Sequence, residues 1–145
     1  MWNLLKLTKS GSKADKKLVT AIKTIAGFSP SNLELYKLAL LHSSKGKEIN
    51  GFRESNERLE YLGDAILGAA IADYLFKKYP FKDEGFLTEI RSRIVNRESL
   101  NNLARKVGVG SIVQFDHKNS QLRQVILGNT LEALVGAVYL DKGFI

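Results

Sequence analysis

Residues 56–78, NERLEYLGDAILGAAIADYLFKK, keep a helical pattern that nothing interrupts until Tyr79-Pro80, where the residue before the proline is pushed out of the helical region. From Leu62 to Leu75 the stretch is apolar nearly all round, which a helix tolerates only when neighbours surround it. Residues 124–142, QVILGNTLEALVGAVYLDK, read the same way between Val125 and Leu140 and stop at Gly143. Both stretches are rich in small residues: Gly63, Ala65, Gly68, Ala69 and Ala70 in the first, Gly128, Ala133, Gly136 and Ala137 in the second. Two such backbones are expected to cross closely at the centre of an all-α helical bundle.

Working outward, Leu18, Val19, Ile22, Ile25 and Ala26 form one stripe that predicts a helix from Asp15 to Ala26, closed by Gly27. Ser31 and Glu34 have capping-box spacing, and Leu33, Tyr36 and Leu40 continue a second helix toward His42. Residues 43–55 read as a loop. Further helices are predicted around Leu87, Ile90 and Ile94, and around Leu100, Leu103, Ala104 and Val107, the latter stopped by Gly108. Only Ile112–Phe115 is β-prone. No repeat or low-complexity tract divides the chain, so residues 1–145 are expected to form one domain.

The chain has 145 residues, 22 Lys+Arg, 15 Asp+Glu and no Cys. Without Cys there are no disulfides, thiolate zinc sites or cysteine nucleophiles. The longest apolar runs, 65–72 and 133–140, fall far short of the ~18 residues needed to span a bilayer. The first six residues lack the order of a secretory signal, so a cytoplasmic location and no membrane partner are expected. A membrane-surface role for Trp2, Leu4, Leu5 and the lysines after them has little support, because the amphipathic character is confined to that segment. The net charge of +7 is unevenly spread: residues 1–24 and 91–124 are basic, whereas ten of the fifteen acids lie between Glu34 and Glu89. Basic segments flanking an acidic centre suit a polyanion held by its phosphates around a cation site. The competing explanation of a single lysine run is a solvated helix face.

The acids of the two central helices matter most. Glu57, Glu60 and Asp64 share a face at the start of the first helix, and Glu132, three residues after Asn129, occupies the matching position on the second. Removing a carboxylate from water costs several kcal/mol unless it is paired or binds metal. Oxygen ligands converging from crossing helices, with no histidine among them, specify a hard cation such as Mg²⁺ or Mn²⁺. His42 and His117 lack the spacing of a di-iron bundle or a zinc peptidase. For any one acid, a surface salt bridge with Arg58 or Lys77 is the simpler account, and for Glu57 alone it is preferred. It does not cover Glu60, Asp64 and Glu132 together.

The run Asn56-Glu57-Arg58-Leu59-Glu60-Tyr61-Leu62-Gly63-Asp64-Ala65-Ile66-Leu67 resembles the signature of the ribonuclease III family, the double-stranded-RNA endonucleases that include bacterial ribonuclease III and Dicer. The resemblance extends from Ala39-Leu40-Leu41-His42-Ser43-Ser44 through Asp83-Glu84-Gly85-Phe86-Leu87 to the segment from Leu127 to Gly136, so it covers about residues 18–144. It implies the all-α endonuclease domain and a homodimer with two active sites in one RNA-binding valley. By the same resemblance Glu60, Asp64 and Glu132 match metal-binding acids, Asp64 and Glu132 being catalytic. Glu57 and Glu84 match acids that border the valley and touch RNA, and Tyr61 replaces a phenylalanine that inserts into the partner subunit. The implied cofactor is Mg²⁺, with Mn²⁺ as a substitute. The implied reaction is endonucleolytic cleavage of double-stranded RNA in rRNA or mRNA processing, leaving a 5′ phosphate and a short 3′ overhang.

Asn129 stands where most of the family has aspartate. Asn still offers a carbonyl oxygen to a cation but removes one negative charge, so weaker metal affinity is expected. The double-stranded-RNA-binding domain that usually follows is absent from this chain, which is expected to be a truncated form. The alternative function is a catalytically weak or inactive relative that binds structured RNA or the ribosome; Asn129 alone favours it, and the retained acids oppose it.

Overall fold

The computed structural model describes residues 11–116, 118 and 122–144. Trp2, Leu4, Leu5, Lys6, Lys9 and His117 lie outside the described residues. Among those described, the elements are α1 (Lys13–Ala26), α2 (Leu33–Ala39), the short strands β1 (Glu48–Ile49) and β2 (Phe52–Arg53), α3 (Glu57–Lys78), α4 (Glu84–Ile94), α5 (Arg97–Lys106) and α6 (Leu122–Lys142), with two single 3₁₀ turns. The fold is all-α around the crossing of α3 with α6, as expected.

Local chemistry sets most boundaries. Helix α1 begins two residues before the expected Asp15, because Ser12 and Asp15 form a reciprocal capping box: the Asp15 N–H donates to the Ser12 hydroxyl and the Ser12 N–H to the Asp15 carboxylate. The box expected at Ser31 and Glu34 does not form. Asn32 caps α2 instead, its side-chain oxygen accepting the Glu34 N–H at 3.2 Å. The cause is tertiary. Asp141, near the end of α6, accepts the Ser31 and Asn32 N–H groups at 2.9 Å each and the Tyr36 hydroxyl at 3.0 Å, while Lys142 donates to the Ser31 hydroxyl. Asp83 and Asn96 cap α4 and α5 through the Phe86 and Ser99 N–H groups.

Helix α2 stops at Ala39 rather than near His42. The buried Asn56 amide donates to the Ala39 carbonyl at 3.1 Å, and the Asn56 N–H donates to the Leu41 carbonyl at 2.8 Å. The chain then makes a parallel bridge, Leu41 with Gln114, which is the only β pairing of the β-prone segment 112–115 among the described residues. The expected loop 43–55 contains a two-residue hairpin, with Glu48 opposite Arg53 and Ile49 opposite Phe52. Its turn residues, Asn50 and Gly51, have φ of 52° and 75°, so both occupy the left-handed region that an Asn-Gly turn supplies at least strain.

At the crossing, a Cβ on Gly63 would lie 1.7 Å from the Glu132 carbonyl oxygen, and one on Gly136 would lie 2.5 Å from the Leu59 carbonyl oxygen. Those two glycines permit the approach; Gly68, grouped with them by sequence, has nothing within 4 Å. Helix α6 is enclosed as expected, with Ile126, Ala133, Leu134 and Ala137 buried. Helix α3 is enclosed on one side only. Ala65, Ala69 and Ala70 are exposed, as are Tyr61, Tyr74, Phe76 and, just beyond the helix, Phe81.

Candidate active site

The Gly63–Gly136 crossing brings the acids together. Glu60 and Asp64 flank Gly63 on α3, and the backbone of Glu132 lies against that glycine. Glu132 feels both Asp64 and Glu60, and Glu60 feels Glu57 and Asp64, so the four carboxylates share one electrostatic neighbourhood. Burial, followed by the charges of Asp64 and Glu60, pushes the Glu132 carboxyl up to about 7. Burial and Glu57 push Glu60 up as well. Desolvation and like-charge repulsion disfavour the ionised form in both cases.

Two groups oppose this. The Asn129 side-chain amide lies in donating reach of Glu60 and draws its pKa down, and Arg97, in the first turn of α5, does so for both Glu60 and Glu132. Arg97, Asn129 and Glu132 line a cleft of about 200 Å³ together with Val95, Leu100 and Gly128. A larger cleft of about 780 Å³ runs along α1 and α2 and contains none of these acids. Arg97 was not singled out from the sequence, although a cation in the first turn of a helix, against the helix dipole, is a signal that could have found it. His42 lies near enough to Glu57 to feel its charge, which offsets part of the lowering that burial imposes on the imidazole.

The remaining expectations divide. The salt-bridge account fails for the central acids. Lys77 pairs with Asp73 at 2.8 Å, and none of the ion pairs among the described residues involves Glu57, Glu60, Asp64 or Glu132. Glu84 lies in the first exposed turn of α4, beyond the far end of α3, and acts on neither Glu60 nor Glu132. From Glu60 to Lys78, α3 alone spans about 27 Å. Tyr61 is 82% exposed and projects away from the core.

Among the described residues no three His, Asp or Glu side chains are gathered tightly enough to form a ligand set. The donor chemistry nevertheless fits a hard divalent cation: three carboxylates on two helices repel one another, two have raised pKa values, and one exposed guanidinium is their nearby counter-charge.

A family description, ribonuclease-III-like, matches residues 32–145. Ribonuclease 3 of Azobacteroides pseudotrichonymphae is 44% identical over 144 residues, covering 99% of this chain and 55% of that protein. Ribonuclease 3 of Bacteroides thetaiotaomicron is 41% identical over 138 residues, covering 91% and 43%. The chain thus spans about half the length of the curated relatives it matches. A solved structure concerned with flexibility in the dimer-forming region of the Campylobacter jejuni ribonuclease III nuclease domain gives a TM-score of 0.77 at 30% identity, covering 86% of this chain and 87% of that one. Dicer from Giardia intestinalis shares the fold alone, with a TM-score of 0.64 at 22% identity over 88% of this chain and 19% of that one. No helix among the described residues is long and apolar enough to cross a membrane.

Proposed function

The chain belongs to the ribonuclease III family, and from that premise we propose that residues 1–145 form the nuclease domain of a Mg²⁺-dependent endoribonuclease that cuts double-stranded RNA. The observation that carries this reading is the close α3–α6 crossing at Gly63 and Glu132, which places Glu60, Asp64 and Glu132 in one neighbourhood of like charge. Carboxylates left in that state favour a partner of double positive charge over solvent. In this reading Glu60, Asp64 and Glu132 hold the ion, with the Asn129 carbonyl as a neutral fourth donor, and Mn²⁺ substitutes. A bound ion supplies a water of lowered pKa for attack on phosphorus and charge neutralisation at the leaving oxygen.

The chain's own side chains do the rest. Arg91, Arg105 and Lys106, with the α1 lysines, offer positive charge to the RNA backbone. Glu57 and Glu84 border the duplex. Because Glu84 lies in α4, beyond the far end of α3 from the acids of its own chain, this reading takes two subunits to bring it and the cluster into one valley. The open side of α3, with Tyr61, Tyr74 and Phe76 exposed, supports a homodimer in which Tyr61 inserts into the partner. The products carry a 5′ phosphate and a short 3′ overhang, and the setting is cytoplasmic rRNA or mRNA processing.

The test is cleavage of a perfectly paired RNA with Mg²⁺, with EDTA and with Glu132→Gln. Cleavage by the wild type that EDTA and Glu132→Gln both abolish is expected. Retained activity in Glu132→Gln overturns the site assignment. Duplex binding without cleavage at any Mg²⁺ concentration selects the non-catalytic alternative, which Asn129 favours.

A further inference from the structure

Arg97 occupies the first helical position of α5, capped by Asn96. Unpaired backbone N–H groups already give that end of a helix partial positive charge, so a guanidinium there is at the unfavourable pole. Its surroundings offset this. Asn129 and Glu132 line the same cleft as Arg97. On Glu60 and Glu132 the guanidinium acts against burial and against the neighbouring acids. The packing of α5 on α6 maintains the arrangement: the Gly128 N–H donates to the Asn101 side-chain oxygen at 2.7 Å, and a Cβ on Gly128 would sit 3.0 Å from that oxygen. Asn129 and Glu132 from α6 share the cleft with Arg97, whose charge also reaches Glu60 on α3, and Glu57 and Asp64 act on those acids in turn. On α4, Arg93 is taken by Glu89. Arg97 itself forms none of the ion pairs among the described residues.

We propose that Arg97 is the resident counter-cation of the carboxylate cluster: it steadies Glu60 and Glu132 while no metal ion is bound, and it opposes entry of a divalent cation, so it sets how much metal the site requires. The proposal rests on the reading of Glu60, Asp64 and Glu132 as the cation-holding set. Arg97 is thus a positioning residue that acts through those acids. One nearby positive charge in a water-like dielectric weakens binding of a divalent ion by roughly two- to sixfold, the smaller figure holding once salt screens it.

The test compares wild type, Arg97→Gln, Arg97→Lys and Glu132→Gln as full chains, titrated with Mn²⁺ without RNA and followed by electron paramagnetic resonance of the free ion. A parallel thermal melt is run in EDTA at low and at high salt. Arg97→Gln is expected to bind Mn²⁺ about two- to sixfold more tightly, with the gain shrinking as salt rises, and Arg97→Lys to bind like wild type. In EDTA at low salt, Arg97→Gln should melt below wild type and Arg97→Lys should restore most of the loss. An arginine that merely packs would give the same loss in both variants at every salt concentration, and that result overturns the proposal. If wild type binds Mn²⁺ through Glu132 but Arg97→Gln leaves the affinity unchanged, the proposal falls and the cation site stands. If wild type binds no Mn²⁺, the cation reading fails and the proposal falls with it.

Discussion

Replacing Gly63 by alanine tests the crossing on which both fold and site depend. The added Cβ would lie 1.7 Å from the Glu132 carbonyl oxygen, 2.5 Å from its carbon and 2.9 Å from the Gly136 nitrogen, all backbone atoms and all closer than the 3.0 Å that real contacts essentially never breach. No rotamer relieves this. The helices must part by more than about 1 Å, which opens the packing around Leu59, Ala133 and Leu134. Overpacking costs typically 1–3 kcal/mol and more when backbone must move, against roughly 1 kcal/mol gained because alanine favours a helix over glycine. With backbone on both helices forced to shift, a gross cost of about 4 kcal/mol leaves a net loss of about 3 kcal/mol, seen as a fall in Tm of roughly 6–12 °C for a chain of this size. Gly68→Ala is the internal control: it is on the same helix with nothing within 4 Å of its Cβ, so it should gain about 0.5–1 kcal/mol. Urea unfolding of both variants, with the m-value checked for constancy, measures the difference. If Gly63→Ala is as stable as Gly68→Ala, the close crossing is wrong. Gly63→Ala should also impair cleavage at temperatures where it stays folded, since the displaced backbone carries Glu132.

Four further outcomes are expected. The folded-state pKa of Glu132, about 7, lies above its ordinary 4.5, so metal-free protein should lose stability as pH rises between those values. Glu132→Gln should therefore be more stable than wild type by about 1–2 kcal/mol at pH 8 in EDTA, after allowance for solvent screening, and no different near pH 4; melts at the two pH values decide it. Asp141 is held below its ordinary value despite burial by the Ser31 and Asn32 amides, the Tyr36 hydroxyl and Lys142, so its contribution is present at neutral pH and is lost as pH falls through its depressed pKa. Asp141→Asn should cost about 2 kcal/mol at pH 7 and progressively less in acid, and a pH-independent cost would refute the assignment. Asn129→Asp should lower the Mg²⁺ concentration for half-maximal cleavage and reduce stability in EDTA at pH 8; an unchanged or raised midpoint would make Asn129 a brace that donates to Glu60 rather than a ligand. Tyr61→Ala should weaken the proposed dimer by ~2 kcal/mol or more in sedimentation equilibrium, and unaltered association would remove Tyr61 from the interface.

The amino-acid sequence by itself determined the long helices, because apolar periodicity and terminators such as Tyr79-Pro80, Gly108 and Gly143 act within a few residues of one another. The same local logic made Glu60, Asp64 and Glu132 conspicuous, since acids inside apolar helices violate the pattern around them. Tertiary structure decided what depends on atoms distant in the chain. Ser31 has the sequence of a cap, yet Asp141, 110 residues away, takes its N–H, and Asn32 caps instead. Helix α2 ends early because Asn56 captures the Ala39 carbonyl. The Asn50-Gly51 hairpin was local and legible, hidden only by reading 43–55 as one loop. Of the small residues that look alike along α3, packing selects Gly63 and passes over Gly68, because close approach is a property of two helices and not of one. Arg97 enters the site for the same reason: its partners lie on α3 and α6, and no window of sequence contains all three.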